Sequence, residues 1–184
     1  MAFTRRTAFA LPLAFALGSA AIAEDTDAQN TLVLETRNGK VIIKLRPDLA
    51  PKHVAQIKAL VARKFYDGIV FHRVIRGFMA QTGDPKGTGE GGSDLPNLPA
   101  EFTPTPFKRG TLGMARTNEP NSANSQFFIC FGDAAFLNGK YTVFGEVTSG
   151  MDIVDKIKPG TEGNNGAVSD PDKIVTLRLA ASAK

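Results

Sequence analysis

Short apolar segments of strand length, separated by Gly, Pro and Asn-Gly, fill the chain from about residue 31 to 179 and leave room for only two helices. Strand patterns cover 31–36 and 40–45, with Asn38-Gly39 between them to supply the positive φ of a tight hairpin turn. Further strands are expected at 69–75, 78–82, 111–116, 126–131, 142–147 and 174–179. One helix starts at Pro51, which suits a first turn, and puts Val54, Ile57 and Val61 on one face with Lys52 and Lys58 in water. A second, at 151–157, ends before Pro159-Gly160. The Gly- and Pro-rich stretch 83–105 reads as a long ordered loop. Strands that do not alternate with helices argue against a parallel sheet. Closure removes exposed edges, so the expected fold is mainly β: a closed eight-stranded antiparallel β-barrel with two α-helices.

The first residues stand apart. Arg5 and Arg6 precede an apolar run broken by Pro12, and Ala21-Ile22-Ala23 is an A-x-A site before Glu24. This is the pattern of a cleavable export signal over 1–23, leaving a single domain over 24–184. The run falls short of the ~20 apolar residues of a spanning helix, which disfavours a membrane anchor. Thr4-Arg5-Arg6-Thr7 has the flavour of a twin-arginine signal, and the general secretory route fits nearly as well. The expected compartment is the periplasm, with no membrane insertion after cleavage. Without the signal the net charge is near +2, with both signs interspersed, which excludes a nucleic-acid surface. Cys130, the single cysteine, lies among Phe and Ile and reads as a buried apolar residue.

Two segments combine polar with large apolar groups. Met79 and Gln81 share one face of a strand, as do Gln126 and Phe128, so each strand sets an amide beside an apolar side chain. Arg73 shares its face with Phe71 and Ile75. From spacing alone it reads equally as a functional group in an apolar setting or as a rim residue covering apolar surface with its stem. His53, after Lys52 on the helix, reads as exposed, and the two histidines with one cysteine make no metal site. Gly87-Thr88-Gly89-Glu90-Gly91-Gly92 spells a dinucleotide fingerprint but lies between Pro85 and Pro96, so it reads as a backbone turn inside a loop. No Ser occupies a nucleophile elbow.

The chain resembles the cyclophilin family of peptidyl-prolyl cis-trans isomerases. The resemblance is carried by Tyr66-Asp67-Gly68-Ile69-Val70-Phe71-His72-Arg73-Val74-Ile75 and Gly77-Phe78-Met79-Ala80-Gln81-Thr82-Gly83-Asp84. It continues through Gly110-Thr111-Leu112-Gly113-Met114-Ala115-Arg116, Asn124-Ser125-Gln126-Phe127-Phe128-Ile129, Phe136-Leu137-Asn138-Gly139-Lys140 and Tyr141-Thr142-Val143-Phe144-Gly145-Glu146-Val147. It implies that Arg73 is the catalytic arginine, that Phe78, Met79, Phe128 and Leu137 line a proline pocket, and that Gln81 holds substrate backbone. It further implies that the peptide lies along Ala115 and the backbone of Arg116, with Gln126, Phe136 and Tyr141 completing the substrate site. Phe136 stands where many eukaryotic members carry Trp, a change set against tight cyclosporin binding. Tyr141 stands for a frequent His, and Arg76 for a frequent Pro.

The implied activity rotates X-Pro bonds in unfolded or partly folded polypeptides, as a monomer and with no metal or other cofactor. A second reading is a peptide-binding or chaperone module on the same barrel without turnover. A third, a carrier of small apolar ligands, needs a hollow barrel, which the many Phe, Ile and Leu at strand positions disfavour.

Overall fold

The computed structural model describes residues 27–182, and the expected export signal lies outside them. Among the described residues there are eight strands: β1 Thr31–Thr36, β2 Gly39–Leu45, β3 Arg73–Ile75, β4 Met79–Thr82, β5 Thr111–Met114, β6 Phe127–Cys130, β7 Val143–Ser149 and β8 Thr176–Leu179. Among the described residues the α-helices α1 Pro51–Ala62 and α2 Met151–Val154 accompany them, with a helical stretch at 27–29 and 3₁₀ turns at Ala135–Leu137, Glu162–Asn164 and Ala180–Ser182. The strands form one antiparallel sheet in the order β3-β4-β6-β5-β7-β2-β1-β8, curled into a half-barrel.

The expected closed barrel is corrected here. The ladder ends at β3 and β8, which do not pair with each other. Irregular chain fills the seam: Phe71 N–H donates to the Asp172 carbonyl, Val168 N–H to that of His72, and Val74 N–H to that of Gly166. Accordingly the strand expected over 69–75 shortens to Arg73–Ile75, with single bridges at Val70–Lys173 and Arg73–Ala167. The helix expected over 151–157 likewise stops at Val154. In the first hairpin only Gly39 takes a positive φ, at 135°.

Strand alternation sorts side chains onto two faces. In β6, Phe127 and Ile129 point into the inner core, where they join Leu112, Met114, Ala80 and Phe144. Helix α1 covers one mouth of that core with Val54, Ile57, Leu60 and Val61. Phe128 and Cys130 point the other way, into an outer cluster with Met79, Phe107, Ala134, Leu137 and Val143.

His53 contradicts the expectation of exposure, being 0% accessible. Ala50 offers no side-chain cap to α1. Glu101, from the long loop, takes that role: it accepts the backbone N–H groups of Lys52 and His53 at 3.2 and 3.1 Å and meets His53 Nδ1 at 2.6 Å. A carboxylate there satisfies otherwise orphaned donors and sits at the positive end of the helix. Burial pulls the His53 pKa down, Glu101 pulls against it, and the net shift is downward. The neutral ring therefore donates from Nδ1.

Candidate active site

Register lines the site up across five strands. Arg73 in β3 is opposite Gln81 in β4, Gln81 is opposite Phe128 in β6, Phe128 is opposite Gly113 in β5, and Gly113 is opposite Val143 in β7. Directly paired residues share a face, so this row runs over the outer surface of the sheet from a guanidinium to an apolar floor. Ile75, Met79 and Cys130 form the row beside it.

The floor is aromatic. Phe128 is 5% accessible and stacks on Phe107 at 5.7 Å between centroids, with Tyr141 edge-on at 6.0 Å. Its ring lies across Gly113, where a Cβ would come within 2.6 Å of Phe107 Cε1 and 2.9 Å of Phe128 Cε2. Leu137 and Ala134 close the cluster from the turn that follows β6. Phe136, from the same turn, remains 62% exposed and leans on Phe78 at 5.2 Å, making an aromatic rim. Cys130 is buried within the cluster, and burial pushes its thiol up to about 12, so it packs as an inert apolar group.

The polar edge is a continuous hydrogen-bond chain. Gln126 Nε2 donates to the carbonyls of Gly89 and Gly91 at 2.9 and 2.8 Å. Its Oε1 accepts from Gln81 Nε2 at 2.9 Å, and Gln81 Oε1 accepts from Arg73 at 3.2 Å. Each amide has one acceptor end and one donor end, so the two glycine carbonyls dictate the orientation of both glutamines. The Gly-rich loop is thus the turn expected, and it has a task. Asp84 fixes it by accepting the N–H groups of Lys86, Thr88 and Gly89. Arg73 is half-buried, and burial lowers its pKa from the ordinary value, yet a guanidinium stays charged near neutrality.

Beyond the last rung of β5–β6, Met114–Phe127, the chain continues as Ala115 and Arg116. Ala115 packs against the outer cluster. The Arg116 guanidinium lies 4.4 Å over the Tyr141 ring and donates to the Lys140 carbonyl. A cavity of about 550 Å³ opens beside it, with Gln81, Gln126, Ala115, Arg116 and the Gly-rich loop among its walls.

All eleven expected site residues therefore fall on one surface. Phe78, Met79, Phe128, Leu137, Ala115 and Tyr141 gather in or against the outer cluster, Phe136 stands at its rim, and Arg73, Gln81, Gln126 and Arg116 stand along its polar side. Three further residues were not singled out from sequence. Phe107 sits in a Pro-rich stretch without periodicity, Gly113 matters only through rings from other segments, and Asn165 reaches Arg73 from a loop 92 residues away.

Residues 31–179 match the family model described as cyclophilin type peptidyl-prolyl cis-trans isomerase/CLD. A probable peptidyl-prolyl cis-trans isomerase of Brucella suis biovar 1 is 55% identical, with all of both chains aligned. A peptidyl-prolyl cis-trans isomerase of Helicobacter pylori is 41% identical over 69% of this chain and 79% of its own. Among solved structures, a cyclophilin from Hirschia baltica superposes with a TM-score of 0.77 at 27% identity, covering 94% of this chain and 83% of its own. A Cryptosporidium parvum cyclophilin, determined in the presence of the dipeptide Ala-Pro, gives 0.74 at 30% identity over 81% and 98%.

Proposed function

The chain belongs to the cyclophilin-type peptidyl-prolyl cis-trans isomerases, and from that premise we propose how its site turns an X-Pro bond: Arg73 is the catalytic group, and the outer cluster around Phe128 holds the ring. No covalent bond breaks. The obstacle is amide resonance, worth a barrier of ~18–20 kcal/mol, and a catalyst has to favour the twisted amide over both planar forms. Twisting localises a lone pair on the prolyl nitrogen. A donor aimed there forms a hydrogen bond that the planar ground state does not accept.

The observation that carries this reading is the way Arg73 is held. Of its five N–H donors, one goes to Gln81 and two to Asn165, leaving one on each terminal nitrogen without a partner among the described residues, on the polar side of the outer cluster. Phe128, Met79, Leu137 and Phe78 grip the proline ring by apolar contact. Gln81 keeps one Nε2 hydrogen after serving Gln126, and that hydrogen holds a substrate carbonyl. The peptide runs over Ala115 and Arg116. A fixed ring with a free acyl side is the geometry that rotation needs.

Arg73→Ala tests the assignment. A hydrogen bond from a charged donor contributes ~1.5–3 kcal/mol, so kcat/KM for a proline peptide falls about tenfold or more while the far-ultraviolet spectrum is retained. A folded Arg73→Ala protein with the parent's rate refutes it.

The proposed setting is the periplasm, where the mature domain, from about Glu24, acts as a monomer on partly folded chains containing proline. The support is the export-signal pattern of residues 1–23 and the interspersed charge of the sequence. Sequencing the mature N-terminus from each cell fraction tests it; an uncleaved cytosolic product overturns it.

A further inference from the structure

The segment between α2 and β8 docks on the outer edge of β3. Val74, next to Arg73, gives its N–H to the Gly166 carbonyl at 2.8 Å and its carbonyl to the Gly160 N–H at 2.9 Å. Two glycines make this approach feasible. A Cβ on Gly166 would strike Ile75 Cγ1, and one on Gly160 would strike the Gly166 carbonyl. The loop is closed on itself by Gly166 N–H to the Thr161 carbonyl at 3.1 Å. Held between these contacts, Asn165 takes a left-handed conformation at φ 48°, ψ 32°. Asn tolerates that region better than most side chains. There it presents two acceptors to one guanidinium: its backbone carbonyl to Arg73 Nε at 3.0 Å and its Oδ1 to Arg73 Nη2 at 3.0 Å.

We propose that Asn165 is a positioning residue for the isomerisation, fixing the plane of the Arg73 guanidinium so that its remaining terminal N–H groups meet the prolyl nitrogen at mid-rotation. This rests on the assignment of Arg73 as the catalytic group. Gln81 holds Nη1 and the Asn165 carbonyl holds Nε, so the Nη2 end is held by Oδ1 alone. Without Oδ1 that end loses its partner and its donors lose their fixed direction. Planarity and fork geometry are what distinguish Arg from a mobile point charge, so the gain is orientation of the donors.

Asn165→Gly separates side chain from backbone. Glycine adopts the left-handed conformation without strain, so the backbone carbonyl remains in place and only Oδ1 is lost. The expected result, read by exchange spectroscopy on a proline peptide, is kcat lowered about tenfold with KM within about twofold of the parent. The melting temperature stays within a few degrees. The Arg73 terminal N–H resonances, distinct while both nitrogens are bonded, merge as rotation quickens. In an Arg73→Ala background the same change has no further effect on the rate. A parent-like kcat for Asn165→Gly beside an inactive Arg73→Ala protein overturns this inference alone. An equal loss in the Arg73→Ala background also overturns it, because the loop would then act otherwise than through the guanidinium. Parent-like turnover by Arg73→Ala overturns the assignment on which it rests.

Discussion

Gly113→Ala puts the apolar floor to a direct test. Gly113 has no left-handed φ, so alanine meets no backbone objection. The objection is steric: the new methyl would lie 2.6 Å from Phe107 Cε1 and 2.9 Å from Phe128 Cε2. Carbon atoms prefer ~3.5–4.0 Å, so the rings have to give by about an ångström. Neither is a flexible tip. Phe128 is stacked on Phe107 on one side and met edge-on by Tyr141 on the other. Inserting one methyl into such packing costs about 1–3 kcal/mol. In a domain of this size that lowers the melting temperature by roughly 2–12 °C. If the strain is relieved by pushing the Phe128 ring outward into the proposed proline site, substrate has to push it back. At tenfold per ~1.4 kcal/mol, kcat/KM then falls about 5- to 150-fold, mostly through KM. The assay is proline-peptide isomerisation beside a thermal melt, both repeated with Phe128→Leu, alone and combined. Leucine relieves the contacts with residue 128 and leaves the one with Phe107, so the double variant recovers part of the lost stability relative to simple additivity. A Gly113→Ala protein with the parent's KM and kcat would show that the ring at 128 is not the floor on which proline rests.

Two other expectations can be measured beside it. Phe128→Ala empties the outer cluster, with a stability loss of about 3–5 kcal/mol by denaturant titration, and raises KM while lowering the rate; unchanged kinetics contradict the pocket. Acid destabilises the fold in a definite window. Burial lowers the pKa of both His53 and His72 from the ordinary 6.5, so the unfolded chain binds protons that the native state refuses. Their contribution is complete above pH 6.5 and declines as pH falls below it, by up to about 1.4 kcal/mol per pH unit for each ring that stays neutral. Glu101 adds to this below 4.5: burial works against its charge, but the His53 ring and two helix N–H groups outweigh burial and leave its pKa lowered. Melts between pH 7.5 and 5 check the slope, which flattens in His53→Gln; a flat profile in the parent refutes it.

Much of this architecture was legible because alternation is a local signal. Phe127-Phe128-Ile129-Cys130 sorts its side chains in, out, in, out, as the period of two requires. Arg73, Gln81 and Phe128 were readable individually, and register then set them in one row. What escaped was non-local. His53 looks like any polar helix residue until Glu101, 48 positions onward, folds back over the helix start. Gly113 looks like a weak point in a strand until two rings from other segments lie over it. Asn165 lies in a stretch without periodicity, whose meaning comes from the strand it reaches. The closed barrel failed for the same reason: pattern counts strands, but pairing at a seam depends on which chain arrives there, and here a loop does.

That seam has a consequence for how such a molecule can diverge. Where a barrel is shut by strand on strand, altering the joint shifts register and scrambles which residues face inward. In this one the joint is a length of irregular chain, and the same length of chain steers the guanidinium. Insertions, deletions or exchanges there can retune turnover while every rung of the sheet keeps its partner, so catalytic tempo and architectural soundness are free to drift apart.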